Sequence, residues 1–193
     1  MAVTNPFHSF VFISGVVRQR DDRRDRELLA ELAAGRSKAL GELYDRHAAS
    51  LFRHAIVLSR RRPDAEDLVH AVFVKLATTG AELLGVRQPA VYLHRMLHTT
   101  WLDAQRRTAT GERVVERVTT PAQAPHVDIE TSMDMARALD DLPAAQRAVV
   151  ALHLVEGFSF REIGRLTGVS LFTAAGRYRL GVARLRKSLG KIS

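Results

Sequence analysis

The chain has 193 residues, a formal net charge of +8, a pI near 10.7 and 46% hydrophobic residues. This length and apolar content allow one medium domain or two small ones with real cores, and the charge points to a polyanionic partner, nucleic acid before an anionic membrane surface. Cysteine is absent, which excludes disulfides and thiolate metal sites and fits a reducing cytoplasm, and no stretch approaches the ~20 apolar residues that span a bilayer.

In chain order, residues 1–24 read as a disordered or weakly docked leader. They hold a short apolar run, Phe7 to Val17, with no basic segment before it as a signal peptide would need. They end in the charge-dense run that begins at Arg18. A first helix is expected from Asp25 to Ala34. Gly35 breaks it, and Ser37 is placed to cap the next. Leu40, Leu43, Tyr44, His47, Leu51, Ala55 and Leu58 recur at three- and four-residue steps, the spacing of one buried helical face.

Arg60 to Pro63 should end that helix. Asp64 should start another, with Glu66 and Asp67 in its first turn, where negative charge suits the helix dipole. Its apolar face is Ala65, Leu68, Val69, Val72, Phe73 and Leu76. Gly80 and Gly85 mark a loop. Pro89 opens a helix to about Arg107, with Leu93, Met96, Leu97, Thr100 and Ala104 inward. Residues 108–127, with Pro121 and Pro125 among small polar residues, lack an apolar period and read as a flexible linker. Helical patterns resume at about 128–140, 143–156, 160–167 and 171–189. No alternating strand pattern appears. The expected fold is all-α: two small helical domains, 25–107 and 128–193, joined by the linker.

The second domain contains a helix-turn-helix. Ser159 and Glu162 have capping-box spacing, Ile163 and Leu166 face inward, Gly168 permits a sharp turn, Val169 plugs the core and Ser170 caps the second helix. From Gly168 onward there are Arg177, Arg179, Arg184, Arg186, Lys187 and Lys191 and no acidic residue. A helix of one charge sign can enter a major groove, its first turn at base edges and its arginines on phosphates. The plain alternative is a solvated basic helix.

The run Leu139-Asp-Asp-Leu-Pro-Ala-Ala-Gln-Arg147, then Val149, Leu152 and Glu156 to Ile163, resembles region 4 of the extracytoplasmic-function sigma factors, and the likeness continues through Gly168-Val-Ser170, Thr173, Arg177 and Arg184-Leu-Arg186. The family's usual glycine-threonine-valine-lysine start of the recognition helix is Phe172-Thr173-Ala174-Ala175 here. The serine that follows is Gly176, and Tyr178 stands where a leucine is usual. The resemblance implies reading of an upstream (−35) promoter element, with Ser170, Phe172, Thr173, Arg177, Arg179 and Arg184 as candidate contacts.

Asp64-Ala-Glu-Asp-Leu68 before an apolar helix resembles sigma region 2.2. The resemblance implies a polymerase-docking face that includes Asp64, Glu66, Asp67, His70 and Val74. The family's common glutamine-glutamate pair is His70-Ala71 here. Tyr92-Leu-His-Arg95 and Trp101 to Arg107 resemble regions 2.3 and 2.4, with Tyr92 at the tryptophan position and Thr99 at the asparagine position. Tyr92, Arg95, Thr99, Asp103, Arg106 and Arg107 are then candidates for a downstream (−10) element, where an aromatic ring stacks an unpaired base and cations hold its phosphates.

The likeness spans roughly residues 25–190 in the family's order. It implies a cytoplasmic, non-enzymatic factor that binds core RNA polymerase and promoter DNA and directs promoter opening and transcription initiation, nucleoid-associated when in the polymerase complex. It allows an anti-sigma partner and calls for no cofactor. The runner-up is a helix-turn-helix regulator that acts without being a polymerase subunit. For an enzyme the signals are poor: no Walker loop, nucleophile elbow or GxGxxG pattern occurs. His94 and His98 have zinc-compatible spacing but lack the His-Glu-x-x-His form, so they read as surface residues and no metal is expected.

Overall fold

The computed structural model describes residues 22–109, 132–133, 136–137 and 139–189. Most of the expected leader, the expected linker beyond Ala109 and the last four residues lie outside them. Seven α-helices are described: α1 (22–33), α2 (Lys38–Ser59), α3 (Arg62–Thr78), α4 (Pro89–Ala109), α5 (Ala144–Leu154), α6 (Phe160–Thr167) and α7 (Leu171–Leu189). Among the described residues there is no strand.

α2 buries Leu43, His47, Leu51, Ala55 and Leu58, the stripe its three- and four-residue period predicts. It ends at Arg60, whose left-handed backbone (φ 62°) closes the helix with a bond from its own amide to Ile56. Ser37 stands at the N-cap position, but its hydroxyl makes no cap bond. Its backbone is already helical (φ −59°, ψ −25°), whereas a side-chain cap requires an extended residue. α3 starts two residues before the expected Asp64 because Pro63 fits the first turn, where a missing amide costs nothing. The expected loop between Gly80 and Gly85 is a 3-10 turn, Ala81–Gly85, that sends Leu83 into the core.

α1 is tied to α2 by the buried Asp25, which accepts from Arg46 Nε at 2.6 Å and pairs with His47 Nε2 at 2.8 Å. Burial alone would raise this carboxyl, but the hydrogen bonds and charges of His47 and Arg46 prevail and hold it below the usual carboxylate range.

The helix-turn-helix is present as expected. Ser159 and Glu162 form the complete capping box, and Gly168 takes the left-handed conformation (φ 73°) at the end of α6. Ser170 Oγ accepts from the Thr173 amide at 3.0 Å. α6 and α7 approach closely because Gly164 has no side chain: a Cβ there would stand 2.7 Å from the Val169 carbonyl oxygen.

The sequence reading did not foresee that the two helical units pack on each other. The main core holds Leu51, Val57, Leu76 and Leu97 of the first unit together with Leu139, Leu142, Ala148 and Val150 of the second. A smaller cluster brings Val91 of α4 to Val149, Phe158, Ile163 and Leu166.

Candidate nucleic-acid interface

The residues of the expected upstream-reading face lie on α7, but they are not equivalent. Phe172 is 81% exposed, more than any other large apolar side chain among the described residues. Arg179 and Arg184 are exposed too. Ser170 and Thr173 are exposed, but their hydroxyls face each other at 2.9 Å while Ser170 caps the helix. Their first task is therefore to fix the start of α7. Arg177 is half-buried and lies close enough to His98 of α4 to lower that imidazole's basicity.

The residues expected at the downstream element share one face of α4. Arg95 and Thr99 are exposed, with the Thr99 hydroxyl donating to the Arg95 and Met96 carbonyls. Arg106 pairs with Asp103 at 3.4 Å, and Arg107 Nε donates to the Asp103 carbonyl. Tyr92 is half-buried and packs on the main core, so part of its ring is committed to the fold. Trp101 is half-buried beside His98, ring centroids 5.6 Å apart.

On α3, Asp67 and Val74 face solvent, Val74 with 49% of its surface exposed. Glu66 is paired with Arg62 and Asp64 with Arg61 along the helix surface. His70 departs from the outward position expected of it. It is half-buried, and its Nε2 is enclosed without a hydrogen-bond partner.

The sequence reading missed the seam between the two units. Arg147 is only 4% exposed; it reaches across to the Val57 carbonyl (Nε, 2.6 Å) and back to Leu142 (Nη1, 3.1 Å). Burial and the neighbouring Arg60 lower its basicity. Glu156 accepts from Ser50 Oγ and from Arg53 Nε at 2.7 Å. Ser50 Oγ lies 2.9 Å from His94 Nε2, and His94 Nδ1 lies 3.1 Å from His54 Nδ1. The single Ser50 proton goes to Glu156, so His94 donates to Ser50. With neutral rings, His54 then donates to His94.

The expected surface placement of His94 and His98 is therefore wrong: both are buried, His94 with 1% exposed. α4 is covered by α2 on one side and by the second unit on another, and the second covering cannot be seen in the periodicity of α4 alone. Burial pushes His54 down to about 3, helped by His98, and pushes His98 down to about 4, helped by Arg177. Among the described residues, no group of three or more such side chains is arranged to hold a metal ion. No helix among the described residues is long and apolar enough to cross a membrane.

Comparison with known proteins agrees with this geometry. Residues 132–185 match the family model for sigma-70, region 4. The chain is 30% identical over 174 residues to the ECF RNA polymerase sigma factor SigM of Mycobacterium tuberculosis, covering 90% of this chain and 89% of that one. It is 34% identical over 164 residues to the ECF sigma factor SigE of Mycolicibacterium smegmatis, covering 79% and 62% of the two chains. Among solved structures, CnrH in complex with the cytosolic domain of CnrY superposes with a TM-score of 0.65 at 25% identity, over 88% of this chain and 99% of that one. The sigma factor RpoE of Bartonella quintana, in complex with the anti-sigma factor NepR, superposes with a TM-score of 0.56 at 25% identity, over 73% and 90%.

Proposed function

The chain belongs to the extracytoplasmic-function RNA polymerase sigma factors, and from that premise we propose that it docks on core RNA polymerase through α3, opens a downstream promoter element with the polar face of α4 and reads an upstream element with α7. The observation that carries this reading is the joint presence of the two units: a capped helix-turn-helix whose second helix has no acidic residue, and a preceding bundle with an aromatic and arginine face on α4. A helix-turn-helix regulator acting on its own would need no second, polymerase-docking bundle.

The candidate residues then take distinct roles. Asp67 and Val74 supply the exposed part of the polymerase contact, with Asp64, Glu66 and His70 beside them. Arg95, Arg106 and Arg107 hold the opened strand near Tyr92, with Thr99 and Asp103 on the same face. Arg179 and Arg184 hold phosphates at the upstream element. Arg177 faces His98 in the packed form, so its base contact requires the two units to part. The polymerase supplies the phosphodiester chemistry and this chain the promoter choice, which places its work in the cytoplasm, at the nucleoid when in complex. The solved relatives were captured with CnrY and with an anti-sigma factor; an anti-sigma partner that holds the two units together belongs to the same reading.

The test is co-purification of the full chain with core RNA polymerase, followed by sequencing of the DNA retained by the complex. The expected result is a stoichiometric complex that enriches a two-part motif. Recovery of DNA without polymerase would favour the independent regulator instead.

A further inference from the structure

We propose that Phe172 reads the 5-methyl group of a thymine in the upstream element, and that Gly176 is a glycine so that the DNA can come close beside it; this rests on the assignment of α7 to that element. A phenylalanine with 81% of its surface in water leaves apolar area unburied that a folded protein otherwise covers. It sits in the first turn of the second helix of a helix-turn-helix, the part of such a helix that meets base edges. The surrounding charge selects the occupant. From Gly168 to the end the chain has no acidic residue, Arg161 on α6 is exposed, and Arg179 lies two turns along the same face as Phe172. The class of surface that is both anionic and able to offer an apolar contact inside a groove is duplex DNA, where the thymine methyl is the apolar group of the major-groove edge.

The glycines of the helix-turn-helix supply the second observation. Gly164 and Gly181 are explained by internal packing, because a Cβ would meet the Val169 carbonyl oxygen at 2.7 Å and Val150 Cγ2 at 2.8 Å. At Gly176 a Cβ would meet nothing within 4 Å, and the backbone is not left-handed. Within the folded chain nothing requires glycine there, although glycine inside a helix is unfavourable relative to alanine. Gly176 lies one turn after Phe172, on the same face. Its missing side chain therefore leaves a shallow place beside the exposed ring, into which the methyl-bearing edge and its strand can move.

The test uses holoenzyme reconstituted from the full chain and core RNA polymerase. Duplexes are selected from a random library, and each thymine of the upstream element is then replaced singly by deoxyuridine, which lacks only the methyl. With the wild-type chain, one replacement should weaken binding about fourfold, the effect of losing one buried methyl group. With Phe172→Ala the same replacement should change nothing. Gly176→Ala should raise the melting temperature by about 2–4 °C, from helix propensity, yet weaken binding roughly tenfold, as one lost base-pair contact would. A purely structural glycine would not give that opposition. An enriched upstream element whose deoxyuridine variants bind wild type and Phe172→Ala alike overturns the inference and leaves the function standing. Loss of polymerase association in Phe172→Ala, with no thymine dependence, assigns the ring to a protein contact and also overturns it. A holoenzyme that selects no upstream element removes both the inference and the reading beneath it.

Discussion

α4 and α7 are of similar length, 21 and 19 residues, and both carry arginines, yet the protein holds them in opposite ways. α4 buries Pro89, Val91, Leu93, His94, Met96, Leu97 and His98 against neighbours in both units. The described part of α7 buries little beyond Ala174 and Gly181. α4 also carries an acid, Asp103, that pairs with its own Arg106, whereas α7 has no acid at all. A helix fixed from two sides is specified by the fold, and its polar strip is what remains after packing. A helix held by Ala174 and Gly181 together with the inner side chains Tyr178 and Leu185 keeps Phe172 and most of its arginines for something outside the chain.

That contrast places the largest mutational effect at the seam, where buried residues of both units meet. Arg147→Ala removes a buried guanidinium and leaves the Val57 and Leu142 carbonyls without their donors. A loss of about 3 kcal/mol in urea unfolding is expected, from charge-assisted hydrogen bonds and the space left behind. A loss below about 1 kcal/mol would mean that the two units do not depend on this residue.

The histidines of the seam give the next effect. His54 and His98 are pushed down to about 3 and about 4 in the folded chain, against an ordinary value near 6.5. Above that ordinary value both rings are neutral in either state. As the pH falls below it, the unfolded chain takes up protons that the folded chain refuses, so stability drops until the folded values are reached. Between pH 6.5 and 5 the loss should be about 2 kcal/mol for each ring. Beyond burial, Arg177 acts on His98 and His98 acts on His54, both in the same direction. His54→Phe should flatten this acid limb in urea titrations at several pH values; an unchanged limb would clear the ring of responsibility.

Sequence patterns reached some of these features and not others. The stripe of α2, the capping box at Ser159 and Glu162 and the turn at Gly168 follow from local rules, spacing and backbone geometry, and they stand in the structure as expected. Ser37 did not cap, because its backbone is already helical and not extended. The seam was invisible for a different reason. His54 and His94 are 40 residues apart, and Glu156 and Arg53 are 103 apart, so no local period connects them. Two signals were present: Arg147, an arginine followed directly by the apolar run Ala148 to Leu152, and His94 and His98 at helical spacing next to apolar neighbours. Both are what a second covering surface would produce.

On the outer surfaces the expected effects are smaller and leave the fold intact. Asp67→Lys, on the exposed edge of α3, should weaken association with core polymerase about tenfold, the scale of one reversed interfacial charge, at unchanged helicity. Unaltered recovery in a quantitative pull-down would move the docking face elsewhere. At α7 the effects fall on promoter DNA and not on polymerase. Arg179→Ala should weaken binding to every promoter alike and reduce the salt slope by about 0.9. Arg177→Ala should relax preference at one base pair by about 1–3 kcal/mol. Binding by Arg177→Ala that equals wild type on every promoter variant and at every salt concentration would leave this arginine to the seam alone.

The contrast between a packed α4 and an outward α7 matters only if the chain acts as a promoter-selecting subunit. The direct measurement is run-off transcription from a selected duplex by purified core RNA polymerase, with and without the full chain. A transcript of defined start that appears only when the chain is added, and that disappears when the upstream element is scrambled, is the expected result. Equal transcription with and without the chain, under conditions where the two proteins co-purify, would contradict it.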